Sequence, residues 1–150
     1  MMFAATATQV SGHTSPQLND QIRHETQERI REYERNDRNA LITRRLNELE
    51  HEWDVERTLQ TNFATLSLVG LALALKSDKR WLVLAAGVPL FMVQHALQGW
   101  CPPLPVLRRL GVRTAREIAE ERYALKSLRG DFDDVDGAKD PDAIVRAVRA

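Results

Sequence analysis

Charged and apolar positions are sorted along this chain into three parts. Residues 63 to 100 hold 3 Lys/Arg and 1 Asp/Glu, whereas residues 1 to 62 hold 8 and 11 and residues 101 to 150 hold 10 and 9. The middle is a nearly uncharged island between two charged arms. Thr58 to Leu75 is uncharged over 18 residues, about 27 Å of helix at ~1.5 Å per residue. Lys76-Ser77-Asp78-Lys79-Arg80 interrupts it, and Trp81 to Leu97 adds 17 uncharged residues, about 25 Å. Each segment approaches the ~30 Å of a bilayer core, and a five-residue connection makes the two helices antiparallel neighbours. The expected centre of the protein is thus a two-helix transmembrane hairpin over residues 58–100.

Details inside the island favour lipid over a buried soluble core. Trp81 and Trp100 stand at opposite ends of the second segment, where indole rings favour the headgroup layer. Gly70, Ala72 and Ala74 on the first segment, and Ala85, Ala86 and Gly87 on the second, permit close helix approach. Pro89 removes a backbone donor and kinks its helix, so a neighbour must cover the carbonyl it frees. The competing reading is a soluble four-helix domain with an unusually apolar core hairpin.

The arms read as helices. Residues 1–16 are unpatterned and expected to be disordered, and they lack the basic and continuously apolar regions of a signal peptide. Ser15-Pro16 is an N-cap with proline at the first helical position. The charged arm 17–57 starts there, with Glu25/Arg29 and Glu34/Arg38 at i,i+4 spacing. Asn36-Asp37 is a break, and Ile42, Leu46, Leu49 and Trp53 form a single apolar stripe on the next helix. In the segment 101–130, Pro102, Pro103 and Pro105 stop a helix from running on past Cys101. Thr114 to Glu117 is a capping box that opens a helix closed by Gly130. The last segment, 131–150, is an acidic linker followed by a short helix starting at Asp140-Pro141. The fold class is therefore all-α: a transmembrane hairpin flanked by amphipathic helical arms on the cytoplasmic side.

Composition then removes several functions. With 21 basic and 21 acidic residues there is no global field to attract nucleic acid, so nucleic acid is not an expected partner. Cys101 is the only cysteine, which excludes an intramolecular disulfide and fits a reducing cytosolic face. Asp134-Val135-Asp136-Gly137 has the look of a calcium loop, but the frame with Gly137 sixth puts Phe132 first and Ala143 twelfth, so the ligands fail. No metal, cofactor or catalytic constellation is expected.

Leu97-Gln98-Gly99-Trp100-Cys101-Pro102, followed by Leu110-Gly111 and Thr114, resembles the signature closing the YgaP-like inner-membrane domain. In that family a membrane hairpin ends in a Gly-x-Cys-Pro turn and then Leu-Gly-x-x-Thr. Glu56-Arg57 resembles the family's entry to the hairpin, and the match covers roughly residues 54 to 115. Pro103 and Arg108-Arg109 depart from the family's more apolar stretch. The resemblance implies a bacterial inner-membrane protein and motif residues Gly99, Trp100, Cys101, Pro102, Gly111 and Thr114. Some relatives carry a rhodanese domain, which this chain has no room for.

Arg44, Arg45, Arg57, Arg108, Arg109, Arg113 and Arg116 flank the hairpin, seven against three in the loop, which puts both termini in the cytoplasm, although the loop's basic density argues the other way. The expected partners are the lipid bilayer and either a second copy of the chain or another membrane protein. The expected role is a non-enzymatic anchor or interaction module. The alternative is a thiol accessory relaying sulfur or redox equivalents through Cys101, with Arg108 and Arg109 lowering its pKa and His95 as a base. Gln94 and His95 otherwise read as hydrated interfacial residues.

Overall fold

A computed structural model describes residues 8–35, 39–133 and 141–149, and among these the chain is all helical. In chain order the helices are α1 (Gln9–Gly12), α2 (Pro16–Arg35), α3 (Asn39–His51), α4 (Val55–Lys76), α5 (Leu82–Gln98), α6 (Leu104–Arg109), α7 (Ala115–Arg129) and α8 (Pro141–Arg149), with a 3₁₀ turn at Lys79–Trp81 before α5. The break expected at Asn36-Asp37, residues 1–7, and residues 134–140 of the acidic linker, with the Asp134–Gly137 run, lie outside the described residues. The chain forms two compact units, one of residues 8–22 and Trp53–Arg116, the other of Arg23–Glu52 and residues 117–149.

In the first unit α4 and α5 run antiparallel against each other, and Pro89 decides how. A proline at position 89 has no N–H for the carbonyl of Ala85, one helical turn earlier. The Ser67 hydroxyl of α4 donates to that carbonyl at 2.7 Å. Three residues along the same face of α4, Gly70 is buried, and a Cβ placed there would lie 2.8 Å from the Ala85 nitrogen. The missing side chain lets the two backbones touch where the carbonyl needs a donor. Of the small residues expected to permit approach, Gly70 and Ala85 do so, whereas Gly87 has open space around it. Asp78 caps the intervening turn by accepting from the Arg80 N–H at 2.8 Å.

α4 starts three residues earlier than the uncharged run. Asp54 accepts from the Arg57 N–H at 2.7 Å as N-cap, and the Val55 N–H donates to the Arg113 carbonyl at 2.9 Å. Its first turns are buried: Val55, Leu59 and Phe63 pack with Val88, Cys101, Leu104 and Val10. The outer faces beyond that core are apolar and open, with Leu68 67%, Leu75 80%, Val83 78% and Leu90 70% exposed.

Two expectations need correction here. Residues 8–16 are not disordered: α1 forms, Val10 joins the core, and the Thr14 hydroxyl donates to the Val10 carbonyl at 2.8 Å. A helix of four residues is too short to carry a readable periodicity. Gly99 ends α5 before the prolines are reached, and the prolines after Cys101 start α6 instead, with Pro103 as its N-cap residue and Pro105 in its first turn, positions where a missing N–H costs nothing.

The second unit closes around Ile42, Leu46, Leu49, Ile118 and Leu125, with Ile30 and Tyr33 against them. Trp53, the fourth member of the expected stripe, lies past the end of α3, and the Arg57 guanidinium stacks over its ring at 4.4 Å. Within this core Glu121 has no exposed surface and accepts from Arg45 Nε at 2.9 Å and Arg29 Nη2 at 3.5 Å. Burial disfavours the Arg45 charge, yet its hydrogen bond to Glu121 and the charge of Glu121 raise its pKa. α7 begins directly after Thr114 and ends at Gly130, whose φ of 85° lets the Asp131 N–H return to the Lys126 carbonyl. Lys126 Nζ donates to the Val148 carbonyl at 3.0 Å, satisfying the end of α8.

Ser67→Ala is expected to destabilise the protein in detergent by about 1 kcal/mol, and Ser67→Ala in a Pro89→Ala background to cost close to nothing, because residue 89 then supplies the donor. Denaturation of the four proteins in this cycle measures the coupling. An equal cost in both backgrounds would remove the assigned role of Ser67.

Candidate functional site

The residues singled out by sequence gather where α5 ends. The chain leaves the helix at Gly99, in the left-handed region at φ 71°, with its N–H donating to the His95 carbonyl at 2.7 Å. A Cβ at Gly99 would overlap Gln9 of α1, so both conformation and space demand glycine. Cys101, two residues on, has no exposed surface. Its carbonyl accepts from the Leu104 N–H at 3.1 Å, so Pro102 and Pro103 occupy the middle of a turn, and proline's fixed φ suits the first of those places. Gly111, at φ 81°, turns the chain back so that the Val112 N–H reaches the Leu107 carbonyl at 3.1 Å. Trp100 is 37% and Trp81 42% exposed.

The thiol environment is the reverse of an activated one. Burial pushes the Cys101 pKa above its usual range, the negative charge of Glu56 adds to this, and only the Leu104 N–H opposes it. A nucleophilic cysteine needs a thiolate and access. The expected lowering by Arg108 is not seen; its guanidinium is fully buried and bonded elsewhere, with Nε donating to the Thr14 hydroxyl at 3.2 Å, Nη2 to Asn19 Oδ1 at 3.1 Å and Nη1 to the Val112 carbonyl at 3.0 Å. Arg109 is exposed.

His95 also departs from expectation. It is 2% exposed rather than hydrated, and its Nε2 lies 3.0 Å from Glu56 Oε1 on α4. Its Nδ1 is buried with no hydrogen-bond partner. The pair joins the start of α4 to the end of α5. Among the described residues no group of three or more His, Cys, Asp or Glu is placed to hold a metal ion.

Sequence reasoning missed Thr14, Asn19 and the Glu56–His95 pairing. An arginine four residues after Leu104, on the buried face of a six-residue helix, was the one signal that polar partners had to exist for it. The chain matches no family model, no curated protein and no solved structure.

The turn is held by backbone geometry more than by the thiol. Gly99→Leu is expected to cost at least about 3 kcal/mol, from an unfavourable φ plus a steric overlap, and Cys101→Ser about 1 kcal/mol, for one polar group placed in a buried site. Pro102, exposed on the turn, falls between as Pro102→Ala. Unfolding in detergent ranks the three, and a greater loss from Cys101→Ser than from Gly99→Leu would mean that the thiol has a bonded partner of its own.

Proposed function

We propose that this protein is a small integral protein of the bacterial inner membrane, in which α4 and α5 form a transmembrane hairpin and the remaining helices make a cytoplasmic anchor or interaction module without catalysis. The observation that carries this reading is the exposed apolar surface of the two helices. Both are long and apolar enough to cross a bilayer, yet only 17% and 11% of their apolar stretches are buried inside the protein. The core helices of a soluble domain hide such surface, and a soluble monomer rarely leaves a contiguous apolar patch of more than a few hundred Å² in water. Ser67 supports the reading as well, since an unsatisfied carbonyl at Ala85 costs most where no water can reach it.

The resemblance of Leu97–Pro102 and Leu110–Thr114 to YgaP-like inner-membrane domains supports the same assignment. Two of its motif glycines, Gly99 and Gly111, hold positive φ values here, so the signature reads as a set of backbone requirements. The seven flanking arginines against three basic loop residues favour cytoplasmic termini. A relay through Cys101 would need a thiolate and access, and the closed turn provides neither.

The protein is expected to remain with membranes after carbonate extraction, with tags at both termini reporting cytoplasm in the same cells. Release into the supernatant would replace the integral-membrane reading with a soluble helical domain. A periplasmic signal from either tag would overturn the orientation alone.

A further inference from the structure

The N-terminal segment 9–14 lies against the turn that holds Cys101. Gln9 abuts Gly99, two residues before the thiol, and Val10 is buried in the same apolar cluster as Cys101 and Leu104. The segment is fastened by polar contacts to groups outside it. Asn19, in the first turn of α2, donates through Nδ2 to the carbonyls of Ser11 at 2.8 Å and Thr14 at 3.4 Å. Arg108 Nε donates to the Thr14 hydroxyl. Asn19 and Arg108 are also bonded to each other at 3.1 Å, and Arg108 to the Val112 carbonyl, so these contacts remain when the segment leaves, while Arg108 Nε gives up only its bond to Thr14.

The segment itself is weakly self-supporting. α1 is four residues long, has no side-chain N-cap, and contributes one buried apolar side chain. So short a helix is not stable alone. The other buried members of the cluster, Val55, Leu59, Phe63, Val88, Cys101 and Leu104, all come from residues 55–104. Ser15, which caps α2, and Pro16 join the segment to that helix. A unit with few buried contacts opens at a free energy well below that of global unfolding.

We propose that residues 9–14 form a strap that opens as a unit about Ser15-Pro16 while α4, α5 and α6 stay folded, and that this opening is the route by which solutes reach the Cys101 thiol. The strap thereby makes the thiol conditional: sealed while Asn19 and Arg108 hold it, reachable when it opens. The inference concerns one end of the first unit and does not rest on the membrane reading.

The test is the rate at which N-ethylmaleimide alkylates Cys101 in the full chain in detergent micelles, followed by mass spectrometry. Val10→Ala and Thr14→Val each loosen the strap and are expected to raise the rate roughly tenfold, with the helical circular dichroism unchanged. Leu49→Ala, in the core of the second unit, weakens the fold without touching the strap and is expected to leave the rate within about twofold. Equal acceleration by Leu49→Ala, or none by the two strap variants, would overturn the proposal. Should either strap variant fail to fold, the unmodified protein decides. A rate nearly independent of urea below the unfolding transition marks local opening, and a rate that climbs with urea from the lowest concentrations marks global unfolding and overturns it.

Discussion

A proline inside an apolar helix leaves one carbonyl without its donor, and where no water is available that group must be answered by a neighbour. In this protein the carbonyl belongs to Ala85 and the answer comes from Ser67. A hydroxyl reaches only if the two backbones are close, and Gly70, one turn along α4, provides the closeness. One constraint therefore fixes where α4 and α5 touch. With that point set, Glu56 at the start of α4 meets His95 at the end of α5, and Val55, Leu59 and Phe63 face Val88 and the turn beyond α5.

Beyond that crossing, the architecture of the first unit is mostly the closing of its base. Gly99 and Gly111 take left-handed conformations so that the chain can reverse twice in twelve residues. The stretch between them buries Cys101 and Arg108 in different company: the thiol among apolar groups, the guanidinium among Thr14, Asn19 and Val112. A buried guanidinium is tolerated only with its donors satisfied, so α1 and the first turn of α2 are drawn onto the base by Arg108. The second unit applies the same rule with opposite sign, around the buried Glu121 and its arginines.

Much of this was legible in the residue pattern. The long helices, the cap at Ser15, the stop at Gly130 and the need for a donor at the carbonyl freed by Pro89 all follow from local rules, because each depends on residues within a turn or two. What escaped were long-range polar pairings. Nothing in the neighbourhood of Thr14 or Asn19 announces an arginine some ninety positions away. His95, near the end of an apolar helix, read as hydrated because its partner Glu56 sits 39 residues earlier. Trp53 continued the spacing of Ile42, Leu46 and Leu49, but α3 ends at His51 before that spacing can act.

The functional account rests on what covers the outer faces of α4 and α5. Nitroxide labels at Leu68→Cys, Val83→Cys and Leu90→Cys, in a Cys101→Ala chain reconstituted into lipid vesicles, measure this by collision with oxygen, which concentrates in hydrocarbon, and with a water-soluble nickel chelate. The account predicts ready collision with oxygen and almost none with nickel at all three positions. Nickel access equal to that of oxygen would mean that these faces meet water, and exclusion of both reagents would mean that protein covers them; either result contradicts a hairpin solvated by lipid.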